Sequence, residues 1–146
     1  MTTIVYDHKN KQIACDSRET GGGTLFTDKA IKHRTVNGDV WFICGSKSDV
    51  TIFIDTFEHN AFAPDNIECG GLVVRKGVTY KACNEDGVYK LDELPCNESI
   101  GSGGWFAMAA VDLGKTAKEA VKYAMTRDLY SGGKVHVYDI EKGEFI

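Results

Sequence analysis

The chain has 146 residues, 42% hydrophobic and 26% charged, which suits a single soluble globular domain spanning residues 1–146 with a sizeable core. A net charge of −4 leaves no basic footprint for nucleic acid or an anionic membrane surface. No secretory leader opens the sequence and no apolar run is long enough to span a bilayer, so the expectation is a cytoplasmic protein with no nucleic-acid and no membrane partner. The five cysteines are odd in number and lack C-x-x-C spacing, so they read as reduced thiols, two of them buried in strands. Cys69, Cys83 and Cys96 are too far apart for zinc ligand pairs, and the four histidines form no ligand pattern. No metal and no cofactor is expected.

In chain order, residues 2–7 and 11–17 alternate or run apolar on either side of a polar turn from His8 to Lys11, the pattern of a β-hairpin. That hairpin would return Asp16 beside Thr2. A glycine-rich excursion at 21–23 leads to 24–32, and residues 39–45 read as a buried strand ending in Gly45. Ser48 is placed to cap a helix whose apolar stripe is Val50, Phe53, Ile54, Phe57 and Ala61, with Pro64 ending the pattern. Strands follow at 72–75, 79–83 and 88–90, with Lys76-Gly77 and Asp86-Gly87 as turns.

After Ser102 a helix is expected to bury Trp105, Phe106, Ala109, Ala110 and Leu113, with Gly114 as its stop. Thr116 and Glu119 form a capping box opening another helix, whose apolar face is Ala120, Val121, Ala124 and Met125. Residues 135–138 close the chain as a strand that pairs with 144–146. This order is that of an α+β protein.

Chemistry concentrates at the start. Once Met1 is removed, Thr2 carries a hydroxyl and a free α-amine on one residue, and the amine can act as base for the hydroxyl. An α-amine titrates near 7.7–8.0, close to working pH. A nearby lysine ammonium would favour its neutral form, and an aspartate would hold that lysine in place. Read one at a time, these residues have plainer roles. Met-Thr-Thr can be the start of an edge strand, Asp16 a turn cap and Lys32 a solvated lysine. Ser102-Gly103-Gly104 can be a flexible turn or a helix cap, and Asp128-x-x-Ser131-Gly132 a helix end.

Taken together, Thr2-Thr3-Ile4-Val5, a strand ending in Asp16, Lys32 sixteen residues later and a strand ending in Gly45 resemble the N-terminal-nucleophile (Ntn) threonine peptidases. The resemblance is to proteasome β subunits and, more specifically, to the bacterial HslV type. Ile100-Gly101-Ser102-Gly103-Gly104 is similar to that family's Gly-Ser-Gly turn, and Arg127 to Gly133 to its Asp-x-x-Ser-Gly element. The likeness covers residues 2–60 and 98–140 well and the middle poorly.

The resemblance implies a four-layer αββα sandwich, two antiparallel sheets between helices. It makes Thr2 the nucleophile and its amine the base, with Lys32 tuning the amine, Asp16 orienting Lys32 and the Gly45 N–H as oxyanion donor. Ser102, Asp128 and Ser131 would surround the amine and hold its water. A peptide or protein substrate and a homo-oligomer are implied as well. Two departures stand out. The first hairpin is two residues shorter, an even change that keeps the facing of the pleat. The family's second long helix is missing, with only Ala63 to Glu68 in its place, which argues against a ring ATPase partner. So short a form is in keeping with a phage or mobile-element source. The alternative is a non-catalytic binding or inhibitory module that retains Met1.

Overall fold

The computed structural model describes residues 2–64 and 66–146; Met1, and with it the question of its removal, lies outside the described residues. Strands β1 (Ile4–Asp7) and β2 (Gln12–Cys15) form the expected hairpin, with Ile4 opposite Cys15. A small ribbon, β3 (Glu19–Gly21) and β4 (Thr24–Thr27), occupies the glycine-rich excursion. β5 (His33–Val36) and β6 (Asp39–Gly45) follow, then a 3₁₀ turn at Lys47–Asp49 and helix α1 (Val50–His59). β7 (Cys69–Arg75), β8 (Val78–Glu85) and β9 (Val88–Glu93) form a meander. β10 (Glu98–Ile100), α2 (Gly104–Asp112), α3 (Ala117–Met125), β11 (His136–Asp139) and β12 (Glu144–Phe145) complete the chain.

Among the described residues these strands make two five-stranded antiparallel sheets, ordered β10-β1-β2-β11-β12 and β5-β6-β7-β8-β9. Successive side chains on a strand point to opposite faces, and here both faces are buried. Ile4, Tyr6, Ile13 and Cys15 meet Val40, Phe42, Leu72 and Val74 between the sheets. Val5, Ala14 and Val137 face the other way, onto α2 and α3. Trp41, Ile43 and Val73 face α1 through Phe53 and Ile54. That double burial is why Ile4-Val5-Tyr6 and Val40-Trp41-Phe42-Ile43 read as unbroken apolar runs. The result is the four-layer α+β sandwich, with α2 and α3 on one side and α1 on the other. Among the described residues, no helix is long and apolar enough to cross a membrane.

Three sequence expectations need correction. Ser48 does not cap α1: it sits in the 3₁₀ turn with its hydroxyl on Ser46, and Asp49 occupies the N-cap position without a side-chain cap bond. The Asp49 carboxylate is engaged elsewhere, accepting from the Glu68 N–H. The same helix stops before Ala61, because Asn60 turns left-handed (φ 50°) and its N–H bonds the Asp55 carbonyl.

The buried face of α2 is also rotated from the expected one. Gly104, Ala107, Ala110 and Val111 face inward, whereas Trp105 and Leu113 are 82% and 87% exposed and Phe106 and Ala109 lie on the outer side. The α2, α3 and sheet surfaces meet through Ala107, Ala110, Ala117, Ala120, Ala124 and Ala14, a seam too thin for a tryptophan. Finally, β3, β4, β5 and β10 carry no apolar alternation in the sequence and appear only through their pairing. The capping box of α3 is present as read, with Glu119 N–H on Thr116 Oγ and Thr116 N–H on the Glu119 carboxylate.

Candidate active site

The β1–β2 hairpin places Asp16 one residue beyond the paired strand, where its N–H bonds the Thr3 carbonyl at 3.2 Å. Its side chain is fully buried, yet each oxygen has two donors. Oδ1 accepts from the Thr3 N–H (3.0 Å) and Lys32 Nζ (2.9 Å); Oδ2 accepts from the Arg18 N–H (3.1 Å) and the Gly132 N–H (2.9 Å). A carboxylate has about four lone-pair sites, so this one is saturated and cannot rotate without losing bonds. The Lys32 side chain is 9% exposed and enters from the residue preceding β5, its carbonyl tied to the Ile43 N–H of β6 at 3.1 Å.

Lys32, Thr2 and Gly45 line one cavity of about 630 Å³, a size suited to a small ligand or a few peptide side chains. Thr2 itself is buried, and its carbonyl accepts from the Gly103 N–H at 3.3 Å. Gly45 closes β6 with φ 121°, and a Cβ there would lie 2.1 Å from the Glu68 carbonyl oxygen. The neighbouring strand end, together with the backbone angle, therefore excludes a side chain at Gly45.

Ser102, Asp128 and Ser131 converge as well. Asp128 Oδ2 accepts from Ser102 Oγ and from Ser131 Oγ, both at 2.6 Å. Ser131 has thus committed its only proton, so Thr3 Oγ1, 2.6 Å away, must be its donor. The hydroxyl chain runs Thr3 to Ser131 to Asp128 and ends one residue beyond Thr2. Gly103 is packed so tightly on it that a Cβ would stand 1.9 Å from Thr3 Oγ1.

Three contributors escape sequence reading. Thr3 supplies an N–H to Asp16 and a hydroxyl to Ser131; Gly132 supplies an N–H. Arg18 supplies another N–H, while its guanidinium grips Asp28 at 2.7 and 3.0 Å and bonds the Leu129 carbonyl at 3.1 Å. Arg18 thereby ties the ribbon to the 129–132 loop. Thr3 stands in the Thr-Thr repeat and Gly132 in the Asp-x-x-Ser-Gly element, but neither motif signals these contacts, and Arg18 stands in none.

The thiols that adjoin Asp16 and Gly45 in the chain, Cys15 and Cys44, offer no competing nucleophile. Burial, with the neighbouring Asp16 charge, pushes the Cys15 thiol up to about 12, and burial raises Cys44 too, so neither forms thiolate at neutral pH. All five cysteines are unbridged. Among the described residues, no group of three His, Cys, Asp or Glu side chains is placed to hold a metal ion.

Two antiparallel sheets between helical layers, with Thr2 and Thr3 leading an inner strand, constitute an Ntn-hydrolase-like fold. Within that class the fold is HslV-like. The chain is similar to the crystal structure of eukaryotic HslV from Trypanosoma brucei, with a TM-score of 0.74 at 23% identity over 93% of this chain and 97% of that one. It is also similar to Thiobacillus denitrificans BPH in complex with epoxomicin, with a TM-score of 0.69 at 17% identity over 94% of this chain and 97% of that one. A further structure of BPH gives a TM-score of 0.64 at 18% identity, over 94% and 95% of the two chains. No family model matches the sequence, and a search of curated proteins finds no significant match. At these identities the likeness establishes the fold.

Proposed function

We propose that the chain is a threonine-type peptidase that hydrolyses amide bonds with Thr2 Oγ, once Met1 has been removed. The observation that carries the reading is the buried Lys32–Asp16 pair on the cavity that Thr2 and Gly45 also line. The Thr2 amine takes the Oγ proton as Oγ attacks the scissile carbonyl. Lys32, fixed by Asp16, keeps that amine neutral beforehand. The Gly45 N–H stabilises the tetrahedral oxyanion. Collapse breaks the C–N bond, the Thr2 ammonium protonates the leaving amine, and an acyl ester on Thr2 remains. Water, deprotonated by the same amine, hydrolyses that ester and restores the hydroxyl.

Ser102, Asp128 and Ser131 are positioning residues in this reading. Their hydroxyl chain fixes Thr3, and through it the approach of Thr2 to the cavity. The substrate is a peptide or an unfolded protein segment, and the protein works as a homo-oligomer in the cytoplasm. An ATPase partner is left out, because residues 61–64 and 66–68 form no helix between α1 and β7.

The test compares the protein with Met1 retained against the same protein beginning at Thr2, each verified by intact mass, on a panel of acyl-peptide fluorogenic substrates. With Met1 attached, position 2 carries an amide nitrogen without a basic lone pair. Loss of that base should lower the rate about 10²–10⁴-fold. If the form beginning at Thr2 cleaves nothing, the chain is a binding module on a peptidase scaffold.

A further inference from the structure

We propose that the cavity beside Thr2 selects acidic peptide segments, those with Asp or Glu within one or two residues of the bond to be cut. The inference rests on the reading of that cavity as the peptide site and specifies its substrate class. Its basis is a local reversal of charge. The chain has 21 acidic and 17 basic side chains. Yet Arg18, Lys29, Lys32, Arg34 and Lys47 all line this cavity, against the single carboxylate of Glu19.

Lys32 and Arg18 are locally neutralised, by Asp16 and Asp28, and Lys47 is paired more loosely with Glu19. Lys29 and Arg34 have no carboxylate partner among the described residues. Lys29 is exposed and its ammonium has no partner among the described residues. Arg34 is exposed, and its guanidinium is held by the neutral hydroxyl of Thr51 at 3.0 Å. Lys47, with its side chain 79% exposed, reaches Glu19 only at 3.3 and 3.4 Å. Phe26 and Ile31, also exposed, add apolar surface for the neighbouring parts of a bound chain. An extended peptide with carboxylate side chains fits this lining. A basic peptide would meet Lys29 and Arg34, which no carboxylate neutralises, and the exposed, loosely paired Lys47, a repulsion that works against the wrong partner. A cavity of about 630 Å³ takes side chains rather than a nucleic-acid duplex, and the chain as a whole is acidic.

The experiment has a catalytic arm and a binding arm. In the first, the form beginning at Thr2 is given matched fluorogenic peptides that differ only in Glu, Gln or Lys at positions flanking the cleaved bond. Two or three exposed ion pairs should favour Glu over Gln roughly five- to thirtyfold in kcat/KM at low salt, and Lys should be the poorest. The preference should shrink at about 0.5 M salt, where charges are screened within a few ångströms. Lys29→Glu with Lys47→Glu should reverse it. Glu19→Gln, which releases Lys47, should widen it, a gain that loss of structure would not produce.

In the second arm, the Thr2→Ala protein is titrated with labelled acidic and lysine-substituted decapeptides, followed by anisotropy, with an unlabelled dT20 oligonucleotide as competitor. Acidic peptides binding at least fivefold more tightly here, with no cleavage by the form beginning at Thr2 in the first arm, would retain the inference while removing the peptidase reading. Equal affinity for the acidic and basic peptides, or the oligonucleotide outcompeting both, would overturn it. So would a preference in the first arm that the Lys29 and Lys47 changes leave untouched.

Discussion

Asp16 shows how a single side chain can be both a fold element and a site element. Its four donors come from Thr3, Arg18, Lys32 and Gly132, so one carboxylate joins the start of β1, the entry to the ribbon, the approach to β5 and the loop before β11. Lys32→Met should therefore do two separable things. It leaves Asp16 buried with one charged donor gone, at about 2 kcal/mol in chemical denaturation, and it abolishes peptide cleavage. Thr2→Ala should abolish cleavage with no such loss of stability, since Thr2 offers its carbonyl rather than its side chain to Gly103.

Asp128→Asn probes the neighbouring network. An amide cannot accept both serine protons at the Oδ2 position if its nitrogen takes that place. A loss of about 1–2 kcal/mol with a lowered kcat and little change in KM is expected. Thr2, Asp16, Lys32 and Gly45 stood out in the sequence because side-chain identity, or a required absence of one, carries the role proposed for each. Arg18 and Gly132 did not, because the group that each gives Asp16 is a backbone N–H, which any residue but proline can supply.

At the level of elements, the informative departure is α2. The sequence offers Trp105, Phe106 and Leu113 as an obvious apolar face, but the helix buries its small residues instead. Size, not hydrophobicity, decides which face fits the seam against α3 and β1. Trp105→Ser should then leave the melting temperature within about 2 °C, as for other exposed positions, whereas Ala107→Leu should overpack the seam by about 1–3 kcal/mol.

The edges of the two sheets make a further prediction. His33 on β5 and His136 on β11 meet edge-on with ring centroids 5.2 Å apart, and Phe145 of β12 stacks on His33 at 4.1 Å. Burial holds both imidazoles below their ordinary value of 6.5, with each other's or a lysine's charge adding to the effect. The unfolded chain therefore takes up protons before the folded one does as pH falls. Stability should be level above about pH 7 and decline as pH drops through 6.5 towards the depressed values. Thermal melts between pH 7.5 and 5.5 should show this decline, and His136→Phe should flatten it. His136 also holds a buried Nδ1 with no partner among the described residues, so a ring without nitrogen is tolerated there.

The whole molecule is a set of layers whose central strands announced themselves, while two of the four edge strands did not. β1, β2, β6 and β7 are buried on both faces, so their sequences are nearly continuous apolar runs, and that signal survives without any knowledge of partners. The edge strands β5 and β10 read His-Arg-Thr-Val and Glu-Ser-Ile, and only β6 and β1 beside them make strands of those segments. The charged rim around Thr2 was equally invisible in composition, since a net charge of −4 conceals a cavity whose charged lining residues are mostly cations. Thr2, Asp16 and Lys32 lie within the first 32 residues, but separate elements must fold before Thr2 and Lys32 share a cavity with Asp16 paired to Lys32.

The central claim is that Thr2 Oγ is a nucleophile activated by its own amine. It is tested most directly by treating the form beginning at Thr2 with an epoxyketone such as epoxomicin, then measuring intact mass and mapping the adduct. One added probe per chain is expected, located on the peptide that begins at Thr2. The protein retaining Met1 and the Thr2→Ala variant should gain none, and Lys32→Met should react on the order of 10²–10⁴-fold more slowly. An unmodified mass for the form beginning at Thr2, or an adduct on a cysteine-bearing peptide instead, would contradict the account.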